Sequence, residues 1–292
     1  GVHVSAERVH VTTGSSGAFI AAFAAAFDLG DAVALAPASY PCYRNVLRAL
    51  GCEPVALPAN ADAPFRTTAA DLRACAEARE VAGLRPLQGA ILASPANPTG
   101  TALDATELRH LCDASRDLGL RLISDEIYHG LRFGGARDHT ALEFERADGG
   151  VGEALIVNSF SKYHCMTGWR VGWLVAPADL DGPIERLTQN LAICAPHISQ
   201  MAALGALDPA ARPELDSHAR RYEESRKLLL ASLARIGVQP RDLAPCEGAF
   251  YCYADLGDAL AARQARRTAL GLDAGPGDTE ALASALLSEC HV

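Results

Sequence analysis

The chain has 292 residues, 49% of them hydrophobic and 21% charged, with a net charge of -9. That length suits about two domains, and the composition excludes global disorder. The acidic balance argues against a nucleic-acid or anionic-membrane surface, and no apolar run reaches membrane-spanning length. Nine cysteines, an odd number with no C-x-x-C pair, argue against a disulfide framework or a zinc site. They read as reduced thiols in the cytosol, so the expected location is cytoplasmic and no metal is expected. The residues from Gly1 do not read as a charged-then-apolar leader, so none is expected among them. Both ends read as cut close to strand-forming runs, so the expectation is part of a longer protein.

In chain order, Val9–Thr12 predicts a short strand, and Gly14-Ser15-Ser16-Gly17 a flexible turn. Phe19, Phe23 and Phe27 recur at helical spacing, predicting a helix over Ala18–Phe27 that stops at Gly30. Ala32–Ala36 and Gly89–Ser94 are apolar strands, the second running into Pro95-Ala96-Asn97-Pro98-Thr99-Gly100. Asp104 and Glu107 form a capping-box pattern that opens a helix reaching Leu118. Strands are then predicted over Leu120–Ser124, ending at Asp125, over Ala154–Val157 and over Arg170–Ala176. From Asp216 the character changes: a long charged helix over Ser217–Ile236, a strand over Gly248–Tyr253, helices over Ala259–Thr268 and Thr279–Leu287, and a loop over Gly271–Gly277. Alternating strands and helices imply right-handed crossovers and a mostly parallel sheet covered on both faces. The expected fold is therefore α/β, with a three-layer α/β/α large domain over 1–215. Residues 216–292 are expected to form part of a small α+β domain.

Ligands of open α/β sheets bind beyond the carboxyl ends of the strands. Ser15, Ser16, Asn97, Asp125, Ser159 and Lys162 all fall there, which predicts one shared site. The Gly14–Gly17 segment offers free backbone N–H groups and a positive helix end to a phosphate. Alone, such a segment is more often only a turn with an N-cap. It is neither a Walker loop nor a Rossmann fingerprint.

Ser159-Phe160-Ser161-Lys162, followed by Met166-Thr167-Gly168-Trp169-Arg170, is far more specific. Here the chain resembles the aspartate-aminotransferase-like family of fold type I pyridoxal-phosphate (PLP) enzymes, and the resemblance covers essentially its whole length. The resemblance implies that Lys162 carries PLP as a Schiff base, while Ser159, Arg170 and the backbone at Ser15 and Ser16 hold the cofactor phosphate. It makes Asn97 and Tyr128 hydrogen-bond partners of the phenolic oxygen, Asp125 the partner of the ring nitrogen, and Tyr40 the aromatic against the ring. Catalytic roles then fall to Lys162, Asp125 and Tyr128. The chemistry suits those residue types. PLP is an electron sink only while its ring nitrogen is protonated, and a buried carboxylate raises that nitrogen's pKa. Arginine grips a phosphate bidentately, as lysine does not. A displaced lysine amine can shuttle the substrate Cα proton. His129, His164, Cys165 and Trp169 read as packing around the site.

The resemblance also implies an arginine for the substrate carboxylate, expected beyond Val292, since Arg263, Arg266 and Arg267 lack the strand context. It implies an N-terminal lid as well, expected before Gly1. The cofactor site is thus expected complete and the substrate site incomplete. The expected activity is transfer of an amino group between an L-amino acid and a 2-oxo acid, by a homodimer. Two alternatives stay open. One is a C–S lyase or related β/γ-elimination enzyme. The other is an aminotransferase-like effector-binding domain of a transcription regulator.

Overall fold

The computed structural model describes residues 2–60, 65–145, 153–270, 278–285 and 287–288. Its strands are β1 (Val9–Thr12), β2 (Ala32–Leu35), β3 (Glu53–Ala56), β4 (Leu87–Ala93), β5 (Arg121–Asp125), β6 (Leu155–Ser159) and β7 (Gly172–Val175). They form one sheet in the order β1-β7-β6-β5-β4-β2-β3. Strands β2 to β6 run parallel, and β7 is antiparallel to both of its neighbours. The helices are α1 (Gly14–Ala26), α2 (Pro41–Ala49), α3 (Ala69–Val81), α4 (Ala105–Asp117), α5 (Ala178–Leu191), α6 (His197–Ala206), α7 (Arg212–Arg235), α8 (Gly257–Ala269) and α9 (Thr279–Ala285).

Strand alternation divides the core into two layers. Val33, Leu35, Ile91, Ile123, Leu155 and Val157 face one side, where they pack on Phe19 and Phe23 of α1, on Phe27 just after it, on Leu47 of α2 and on Ile184 of α5. Their neighbours Ala32, Ala34, Ala90, Leu92, Leu122 and Ile156 face the other, under Leu72 of α3 and Leu108 and Leu111 of α4. This is the expected three-layer α/β/α arrangement. The predicted capping box is present, since Asp104 accepts from the Thr106 and Glu107 amides and Glu107 accepts from the Asp104 amide.

Three local expectations need correction. Gly14–Gly17 is the first turn of α1 rather than a flexible turn. The long charged helix begins at Arg212, because a proline in its first turn starts it early. Gly248–Tyr253 is not a strand, although its residues alternate like one. Its backbone partners are turns: Glu247 and Gly248 donate to Gly100 O at 2.7 and 3.0 Å, and Ala249 donates to Leu131 O at 2.8 Å. Only isolated bridges form there, between Arg132 and Gly248 and between Leu243 and Ala254. The predicted loop over Gly271–Gly277 lies outside the described residues. Elements α2, β3, α3, α5 and α6 had no counterpart in the sequence reading.

Candidate active site

At the carboxyl ends of the parallel strands lies a cavity of about 230 Å³, lined among others by Ser15, Ser16, Tyr40, Asn97, Asp125, Tyr128, Ser161, Lys162, Arg170 and Tyr251. Each side chain arrives on a short lever from the sheet. Asp125 is the last residue of β5, Lys162 follows β6 by three residues, and Asn97 stands in the turn after β4.

One corner is electropositive. The first N–H groups of α1 have no partner within the helix, and Thr13 at its N-cap makes no side-chain cap. Arg170 turns toward this helix end through a left-handed corner, with φ at 52° and Nη1 donating to Thr167 O at 2.7 Å. Gly14 makes the approach possible, since a Cβ there would lie 2.6 Å from Arg170 Nη2. Gly172 of β7 does the same for the backbone beneath. A Cβ there would lie 2.7 Å from Asn158 O and 3.0 Å from both Gly14 C and Ser15 N. These are backbone atoms that cannot rotate away, so Gly172→Ala is expected to cost about 1–3 kcal/mol, as overpacking does. Urea denaturation would read that cost, and a change below 0.5 kcal/mol, roughly the size of a neutral surface substitution, would show that the corner has slack.

The opposite wall holds the acid. Asp125 is 4% exposed. Its Oδ1 accepts from the Ile127 amide at 3.1 Å, and its Oδ2 accepts a short hydrogen bond from Tyr43 Oη. Burial pushes its carboxyl up to about 6, against the lowering effect of these two donors. Burial likewise lowers the Lys162 ammonium, with the Arg170 charge adding to that and Asp125 opposing it. A larger share of the amine is therefore neutral, and nucleophilic, at ordinary pH. Lys162 Nζ stands 5.5 Å from the ring centroids of both Tyr128 and Phe250. The chain has only two lysines, Lys162 and Lys227, and Lys227 is exposed on α7.

Eight of the nine residues singled out in the sequence line this one cavity. Ser159 stands behind it: its Oγ donates to Val171 O at 3.2 Å and lies 2.8 Å from Ser161 Oγ. Ser161 takes the lining position instead, and Thr167 Oγ1 donates to Ser161 O at 2.7 Å, tying the two turns together.

The profile of the aminotransferase class I and II family matches residues 1–292. The chain belongs to this family. Over 261 residues it is 48% identical to the valine–pyruvate aminotransferase of Mycobacterium tuberculosis, covering 88% of this chain and 63% of that protein. It is 34% identical to an arginine–pyruvate transaminase of Pseudomonas aeruginosa, covering 86% of this chain and 60% of that one. The crystal structure of an aminotransferase from Mycobacterium tuberculosis superposes with a TM-score of 0.84 at 43% identity, covering 99% of this chain and 67% of the other. The chain therefore spans a little under two thirds of the curated relatives it matches.

Class I and II aminotransferases of this kind use PLP, and the cavity fits it on three counts. An uncapped helix end with an arginine beside it suits a phosphate. A buried carboxylate, costly on its own, suits a protonated ring nitrogen. The buried-edge amine of Lys162 suits an aldehyde.

Sequence reasoning passed over three lining or supporting residues. Tyr43 donates to Asp125 and stands three residues after Tyr40, a helical spacing that puts both on one face. Ser161 was legible as the second hydroxyl of Ser-Phe-Ser-Lys. Tyr251 carried no signal, because its partner Tyr128 is 123 residues away.

Proposed function

We propose that this chain forms the cofactor-binding part of a PLP-dependent aminotransferase moving an amino group between an L-amino acid and a 2-oxo acid. The observation that carries this reading is the cavity itself: Lys162, Asp125 and the Arg170 corner face one another across it. When bound, PLP supplies an electron sink for the pair released at the substrate Cα. The chain's own residues do the rest. Arg170 and the start of α1 hold the phosphate, and Ser159 braces Ser161 beside them. Asp125, kept in place by Tyr43 and the Ile127 amide, holds a proton at the ring nitrogen. Asn97 and Tyr128 face the phenolic oxygen, and Tyr40 covers the ring. Lys162 would hold the cofactor through its aldehyde, and its amine is placed to take and return the substrate Cα proton.

Residues 1–215 are taken as the cofactor-binding domain and 216–292 as the start of a smaller one. A homodimer is supported by an exposed apolar face. Val11, Ile193, Met201, Leu204 and Leu207 are 48–82% exposed around two adjoining hollows beside β1 and α6. A cytoplasmic setting is supported by the free state of all eight described cysteines. Among the described residues no helix is long and apolar enough to cross a membrane.

Because two relatives are named for pyruvate, pyruvate is the first acceptor to test. The PLP-loaded chain is mixed with pyruvate and a panel of amino acids beginning with valine, and products are separated by chromatography. Alanine should accumulate in step with the oxo acid of the donor. Ammonia release without alanine would overturn the transaminase reading.

A further inference from the structure

The cavity contains one group that the proposed function does not use. Tyr251 reaches it from the segment that follows α7 and lies among its lining residues. Its hydroxyl is 2.6 Å from that of Tyr128, and the two rings meet edge to face at 5.7 Å.

The backbone that delivers Tyr251 is closely held. Glu247 and Gly248 both donate to Gly100 O, and Phe133 donates to Glu247 O at 2.8 Å. The Glu247 carboxylate accepts from Arg66 Nη2 at 2.6 Å and from the Ala102 amide at 2.8 Å. Gly100 has φ +68°, and a Cβ there would lie 2.9 Å from Tyr251 O. These two segments therefore touch backbone to backbone. The turn that carries Asn97 and the turn that carries Tyr251 are hydrogen-bonded and packed on one another.

A phenol has one proton to give and two lone pairs to accept with. Two phenols in contact share a single hydrogen bond, which leaves one proton over. An anionic oxygen in the cavity selects the arrangement in which that spare proton belongs to Tyr128, and accepting a hydrogen bond makes a hydroxyl a stronger donor. We propose that Tyr251 is a positioning residue of this site: its hydroxyl donates to Tyr128 Oη and so aims and strengthens the proton that Tyr128 gives to an anionic ligand oxygen. The inference rests on the reading of Tyr128 and Lys162 as cofactor residues. It makes the segment after α7 part of the electrostatics of the site as well as of its wall.

The test is a pH titration of the visible absorbance of the PLP-loaded chain, with cofactor dissociation constants measured beside it. Tyr251→Phe keeps the ring and removes only the hydroxyl. It should move the absorbance midpoint upward by about half a pH unit and weaken PLP binding about threefold, the size of one modest hydrogen bond. Tyr128→Phe should move the midpoint at least as far, and the double variant no further than Tyr128→Phe alone. Tyr253→Phe, which packs on Phe65 outside the cavity, should leave the midpoint in place. A Tyr251→Phe midpoint as still as that of Tyr253→Phe overturns the inference, as does a shift that adds in full to that of Tyr128→Phe. If the parent chain holds no cofactor on Lys162, the reading of the site falls and this inference falls with it. If the parent holds it and Tyr251→Phe changes nothing, only the inference falls.

Discussion

Replacing Lys162 by alanine leaves a chain that folds, takes up PLP reversibly, and forms alanine from pyruvate at least about 10²–10⁴-fold more slowly, the range of a lost general acid–base group. Folding should survive because Lys162 is a half-buried cation whose pKa burial has already lowered. Deleting it relieves a desolvation cost, against the loss of the Asp125 attraction and of contacts with the rings of Tyr128 and Phe250 at 5.5 Å. Rates from alanine formation and midpoints from urea denaturation separate the two effects. A variant that unfolds along with losing activity would make Lys162 a structural residue, and one that keeps full activity would remove it from the chemistry.

Asp125→Asn is expected to move stability and activity in opposite directions. The Asp125 carboxyl titrates at about 6 in the folded chain, against 3.8 for an unperturbed one. A raised folded value means that the native state binds the proton more tightly than the unfolded state. The cost of ionised Asp125 is therefore absent below about pH 4, grows as pH rises toward 6, and is fully present at pH 7. A difference of about two units corresponds to about 3 kcal/mol as an upper figure. The cofactor-free Asn variant should thus be about 1–3 kcal/mol more stable at pH 7, and its stability should lose the fall between pH 4 and 6. Activity should drop about 10²-fold or more, because an amide cannot hold a proton on the ring nitrogen by charge. Urea denaturation across pH 4–8, with and without PLP, reads both parts. A variant that loses stability as well as activity would show Asp125 to be a packing and hydrogen-bonding residue.

The legible parts of this molecule were those set by local rules. Asp104 and Glu107 announce the start of α4 because a capping box closes within three residues. Leu122-Ile123 and Ala154–Val157 read as strand because burial on both faces leaves them apolar, and Asp125, which closes the first of these strands, stands at the site. The misread parts depend on distant partners. Gly248–Tyr253 has the composition of a strand, yet its hydrogen bonds go to turns at Gly100 and Leu131. Tyr43 meets Asp125 across 82 residues of sequence, a contact that only the placing of α2 against the end of β5 creates. Ser159 and Ser161 stand two residues apart, and nothing local decides which one enters the cavity and which one braces it.

Because the chain has only two lysines, one measurement tests the central claim directly. The purified chain is mixed with PLP, reduced with borohydride and digested, and the pyridoxyl label is located by peptide mass. The account predicts a label on Lys162, with Lys227 left unmodified as the exposed control. Equal labelling of the two lysines, or label on Lys227 alone, would contradict it.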